Sequence, residues 1–187
     1  MSRGGYDCAG SALVLAAVMP LLAGCSSGGA GSNTPALNFD FIPKTGIGGV
    51  ARMTPKNSSV TGTISFAQRG DKVSVAALIQ ELTPGPHRIF IHETGNCNSP
   101  NAASAGKVWG VPGQVPGKRL GDLPQIVAGG HGDVNLIVSV SGITVGDGGP
   151  NDVIGHSVVV HDGLNPDPQP EFGVANDWLA CGVIEPK

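Results

Sequence analysis

Glycine and proline interrupt this chain so often that short strands are the main regular elements it can sustain. Thirty glycines and fifteen prolines stand among 187 residues. Proline removes a backbone donor and glycine weakens helix and strand interiors alike, so both act as punctuation. Between them the pattern has period two: Val60-Thr-Gly-Thr-Ile-Ser-Phe66 and Lys72-Val-Ser-Val-Ala-Ala-Leu78 alternate on either side of the turn Arg69-Gly70-Asp71. Such alternation sends apolar side chains to one face of a strand. His87–His92, Asn135–Val140, Ile154–Val160 and Trp178–Ile184 are further short β-like segments. This many strands in a domain of about 150 residues predicts an all-β antiparallel sandwich or barrel.

The first 24 residues read as a targeting segment. Arg3 gives a weakly positive start, and Ser11–Leu22 is small and apolar but too short to span a bilayer comfortably. Leu22-Ala23-Gly24-Cys25 then reads as a bacterial lipobox. Cleavage before Cys25 leaves its thiol for lipid attachment, and several acyl chains at about 0.8 kcal/mol per buried CH₂ make a durable anchor. The Gly/Ser-rich stretch that follows is too polar to pack and serves as a tether. The expected layout is a signal peptide over 1–24, lipidated Cys25 and linker over 25–36, and a folded domain over 37–187. The expected location is the bacterial cell envelope, held to a membrane through Cys25. Ser26 after the lipidated cysteine fits outer-membrane sorting, with the domain facing the periplasm.

Cys8 leaves with the leader and Cys25 carries lipid, so Cys97 and Cys181 remain. In an oxidising compartment such a pair is expected to form a disulfide, contributing about 4–5 kcal/mol through loop-closure entropy. Residues 94–123 and 162–177 are rich in Asn, Gly, Pro and Asp and lack apolar periodicity. Loops this long in a compact domain are usually functional or tied down. The disulfide would pin the first of them against the last strand. With a formal net charge of −3 and no dense Lys/Arg cluster, nucleic acid is not an expected partner.

The stretch Gly-Pro-His87-Arg-Ile-Phe-Ile-His92-Glu-Thr-Gly-Asn-Cys97 carries two histidines around an apolar core. Histidines beside a strand in an exported protein point to copper or zinc. Strand neighbours alternate faces, so 88, 90 and 92 share one face while 87, 89 and 91 share the other. A chelate between His87 and His92 is therefore excluded unless a bulge intervenes.

This stretch, Leu120-Gly-Asp-Leu-Pro124, Gly155-His-Ser-Val-Val-Val-His-Asp-Gly163 and Leu179-Ala-Cys-Gly-Val-Ile184 occur in the order and approximate spacing of the copper/zinc superoxide dismutases. The resemblance covers residues 46–187. It implies an eight-stranded Greek-key β-barrel with a metal-binding loop, an electrostatic loop and an intramolecular disulfide that matches Cys97–Cys181. The ligand set does not carry over as well. Of the strand's three family histidines, the first, non-ligand position is His87, which implies a structural brace. The next is Phe90 in place of a copper ligand, and the last is His92, a copper ligand. The bridging histidine falls at Val108, or at Lys107 if the register slips by one. The fourth copper histidine is His161. For zinc, Arg119-Leu-Gly-Asp122 keeps only the aspartate, and residues 109–118 contain no histidine. The arginine that guides superoxide is replaced by Trp178.

Cu(II) favours about four nitrogen donors in a tetragonal arrangement, whereas Cu(I) is satisfied by two or three. His92 and His161 alone do not make a Cu(II) site, zinc is not expected, and an indole does not steer an anion. Phe90, Val108 and Trp178 are all apolar and are expected to converge as a plug on the former copper pocket. Arg119 is expected to pair with Asp122 where zinc's charge stood. His131 and His156 read as surface residues. The favoured reading is a non-catalytic envelope lipoprotein that keeps the fold as a scaffold or binding module for an envelope protein. A copper-binding or delivery protein using His92 and His161 is the alternative, and an active copper dismutase a second one. A homodimer stays open.

Overall fold

The computed structural model describes residues 47–165 and 177–187, all within the compact unit Asn38–Lys187. The leader, Cys25, the linker and residues 166–176 of the second long loop lie outside the described residues. Eight strands follow in chain order: β1 Gly48–Pro55, β2 Thr61–Arg69, β3 Lys72–Gln80, β4 Gly85–His92, β5 Ile126–Ala128, β6 Val134–Ser141, β7 Ser157–His161 and β8 Trp178–Pro186.

Every strand pairing is antiparallel, and the spatial order is β5-β4-β7-β8-β1-β2-β3-β6. The end strands β5 and β6 also touch, so the sheet curls into a nearly closed barrel. The connections β3–β4 and β6–β7 skip over neighbours, which gives the Greek-key path. The six strands read from the sequence are present, and two were missed. β1 opens on Gly-Gly, ends on proline and beyond the two glycines buries only small or flexible Ala51 and Met53. β5 has three residues, too few to carry a period. The expected strand from Ile154 begins only at Ser157, because Gly155 takes φ 84° in a turn.

The core lies inside the barrel. Val73, Val75, Ala77 and Ile79 of β3 point into it with period two, as do Ile89 and Ile91 of β4 and Val158 and Val160 of β7. In β7 all five residues are buried, and in β4 the last four are. A strand buried on both faces must be covered from outside as well. The cover is the first long loop, whose residues 107–109 and 121–122 run along the free edge of β4. Trp109 N–H donates to the Ile91 carbonyl at 2.9 Å, and Ile91 N–H to the Gly121 carbonyl at 2.9 Å. A Cβ on Gly121 would lie 2.1 Å from the Ile91 oxygen, so this approach requires glycine.

The disulfide Cys97–Cys181 joins the start of that loop to β8 across 84 residues, with Cα atoms 5.7 Å apart. Its surroundings are tied down too. The Lys56 ammonium donates to the Cys97 carbonyl, and the Thr54 hydroxyl donates to the Cys181 carbonyl at 2.8 Å. Ala102, Ala105, Val159 and Trp178 pack beside the bridge as a second apolar cluster on the outer face.

Candidate functional site

The outer faces of β4 and β7 meet under the loop, and the site is built there. Arg88, Phe90 and His92 share the outer face of β4, opposite His161, Val159 and Ser157 of β7. A register shift between Val160 and His161 sets His161 opposite Trp178 of β8. Bulges of this kind re-aim side chains. His92 and His161 consequently stand with their Nε2 atoms 3.3 Å apart, their rings within 9° of parallel. Phe90 and Trp178 close around them. The Phe90 ring lies 5.1 Å from that of His161 and 6.5 Å from that of His92, and the Trp178 ring lies 5.0 and 4.8 Å from the same two. All four side chains are buried.

Burial controls the protonation of this pair. The His92 pKa is lowered from 6.5 to about 4, chiefly because the charged ring would lose its hydration. A hydrogen bond from Nδ1 to the Gly106 carbonyl at 2.8 Å opposes the shift, and the positive charge of Arg119 adds to it. His161 is pushed well below its ordinary value by burial and then by His92. Both rings are therefore neutral at pH 7. With its Nδ1–H donated to Gly106, His92 presents a lone pair at Nε2, and His161 can donate an N–H to it. Nδ1 of His161 is buried with no hydrogen-bond partner among the described residues.

His87 lies on the other face, as strand parity requires. It is buried, with Nε2 2.8 Å from the Thr83 carbonyl and Nδ1 3.3 Å from the His161 carbonyl. It ties β4 to the end of β7 and holds the strand that carries His161. Val108 is the buried residue at the position expected for the bridge: it pairs with His92 along the edge of β4, while Lys107 points to solvent. Phe90 and Trp178 thus close on the imidazole pair, and Val108 is buried along the strand edge beside His92.

Asp122 pairs with Phe90 along the same edge, and its carboxylate is fully engaged by Arg119. Oδ2 accepts from the Arg119 backbone N–H at 2.6 Å and from Nε at 3.2 Å, and Oδ1 accepts from Nη2 at 3.1 Å. The two side chains are only 9% and 7% exposed. The Arg119 guanidinium carbon also lies 5.8 Å from the Phe90 ring centroid, and that of Arg88 lies 5.3 Å from it. The aromatic ring thus faces two cations, each within cation–π range.

Sequence reasoning missed three contributors. His156, read as a surface residue, is half-buried: its ring stacks on Trp109 at 4.2 Å, and its Nδ1 lies 3.1 Å from the His92 carbonyl. The corrected role is a support behind the site. Its only sequence signal was its place just before β7. Arg88 was visible as an outer-face position, yet no pattern marked it. Gln114 caps the loop internally, which has no sequence period at all. His131 is exposed, as expected.

The profile of the family described as copper/zinc superoxide dismutase (SODC) matches residues 60–184. The chain belongs to that family. Among curated relatives, superoxide dismutase [Cu-Zn] 2 of Brassica juncea is 32% identical over 145 residues, covering 68% of this chain and 92% of that protein. The extracellular superoxide dismutase [Cu-Zn] of Onchocerca volvulus is also 32% identical over 145 residues, covering 68% and 71%. That of Brugia pahangi is 29% identical over 150 residues, covering 72% and 74%.

The residues gathered in this dismutase-family chain differ from the ligand set that the resemblance implies. At the position expected for zinc, the Arg119 guanidinium stands against the Asp122 carboxylate and bonds both its oxygens. At the copper position two imidazoles remain, and no group of three or more His, Cys, Asp or Glu side chains suited to a metal ion occurs among the described residues. The two nitrogens at 3.3 Å are closer than the roughly 4 Å across a linear ion with bonds of about 2 Å, and match the spacing across a bent one.

Proposed function

We propose that this chain is a non-catalytic superoxide dismutase-fold lipoprotein of the bacterial envelope, with a scaffold or binding role. The observation that carries the reading is that chemistry-bearing positions are filled rather than merely vacated. Phe90 packs against His161, Trp178 covers both imidazoles, and Arg119 is bonded to Asp122. Dismutation requires a metal that cycles between two oxidation states, and two imidazoles under aromatic rings are a poor donor set for the oxidised one. The lipobox ending at Cys25 supports envelope anchoring, and an envelope protein or a second copy is the kind of partner it would meet.

A second reading, copper binding through His92 and His161, is favoured by one observation: both rings are neutral and direct Nε2 toward each other. Two neutral imidazoles in a dry, aromatic pocket suit Cu(I) better than Cu(II). Loading the processed chain with copper under reducing and oxidising conditions, and separately with zinc, decides between the readings once bound metal is counted after dialysis. The scaffold reading predicts substoichiometric metal in every case. One Cu(I) per chain that disappears in His92→Ala would replace it with the second reading.

A further inference from the structure

Residues 109–122 form an arch anchored at its base, crown and descending limb. At its base, Gly121 N–H donates to the Trp109 carbonyl at 2.9 Å. Its crown is two successive turns, with Gln114 N–H on the Val111 carbonyl at 3.1 Å and Lys118 N–H on the Val115 carbonyl at 3.0 Å. Gly113 and Gly117 take φ 88° and 83° in these turns. Gln114 Oε1 accepts from Val111 N–H at 3.0 Å and from Leu120 N–H at 3.2 Å, stapling the two halves together. The descending limb is gripped by the buried Arg119–Asp122 pair, with the guanidinium over Phe90.

We infer that this arch is a metal-independent lock, in which the Arg119 guanidinium holds the loop at the place where the resemblance implies zinc. The argument rests on geometry and saturation. A bidentate arginine–carboxylate pair has the direction and strength to fix a loop, and here the same carboxylate also caps the backbone of residue 119. A cation approaching Asp122 would have to displace a fixed positive charge that is already hydrogen-bonded to both oxygens. The lock does not depend on whether His92 and His161 take up copper.

The test is thermal unfolding and limited chymotrypsin digestion of the processed chain, each in excess EDTA and in added zinc. The wild-type melting temperature is expected to move by less than about 1 °C between the two, because a chain that takes up no ion gains nothing from linkage. Cleavage after Trp109 and Leu120 should be equally slow in both. Arg119→Ala is expected to lower the melting temperature by roughly 10 °C and to speed loop cleavage roughly tenfold. Lys118→Ala, an exposed neighbour, should do neither. A melting temperature that falls in EDTA or rises saturably with zinc overturns the inference, as does equal cleavage of the two variants. If Arg119→Ala does not accumulate folded, the EDTA and zinc arms on the wild-type chain decide it alone.

Discussion

The two halves of the site under the first long loop solve the same problem in opposite ways. Around His92 and His161 the packing is aromatic, and the two imidazoles are held neutral by burial. Beside them, around Asp122, the charge has been kept and a guanidinium supplies the positive partner. The difference follows from what each loss would leave behind. Without a donor at position 90, the pocket between β4 and β7 would be an empty space against the sheet, and a large apolar ring is the stable filling. Without a cation at Asp122, a buried carboxylate would stand unpaired, and only an opposite charge with matching hydrogen bonds offsets that.

The comparison breaks most visibly if the aromatic side proves dispensable. Phe90→Ala is expected to cost about 3–5 kcal/mol, because a fully buried ring leaves a cavity that rigid strands do not collapse into. Denaturant midpoints at constant m-value measure it, and a loss below about 1 kcal/mol would mean the ring is not a filling. Next in size is acid. His92 binds a proton near 6.5 when unfolded but only near 4 when folded. Between those values the unfolded chain holds more protons, so stability is full above about pH 6.5 and declines as pH falls toward 4. The decline is on the order of 3 kcal/mol for His92, and His161 contributes in the same direction. Urea titrations at pH 7.0 and 4.5 check it, and His92→Gln should flatten the profile. Smallest is the support behind the site. His156→Ala removes one stacked ring from Trp109 and should cost about 0.5–1.5 kcal/mol, seen as a melting shift of a few degrees.

Much of this was readable in the sequence, for physical reasons that also explain the rest. The strands that alternate strongly, β2 and β3, announce themselves by period, and strand parity alone separated His87 from His92. Pairing of Cys97 with Cys181 followed from the oxidising compartment expected for the lipobox, and matching Arg119-Leu-Gly-Asp122 to the family's zinc segment suggested the ion pair. β1 was hidden by Gly48, Gly49 and Pro55, whose cost is met by pairing on both sides with β2 and β8. β5 was too short. The stacking of His156 on Trp109 joins residues 47 positions apart in sequence, and Gln114 acts through a side-chain-to-backbone bond. Neither leaves a trace in hydrophobic pattern.

The central claim is that the pocket has been converted from a reaction site into packing. Superoxide decay followed directly by its absorbance after a radiolysis pulse, with the copper-loaded and dialysed chain in catalytic amount, tests it most directly. The account predicts decay no faster than spontaneous dismutation, unchanged by His92→Ala. Turnover first-order in the chain and abolished by His92→Ala would contradict it.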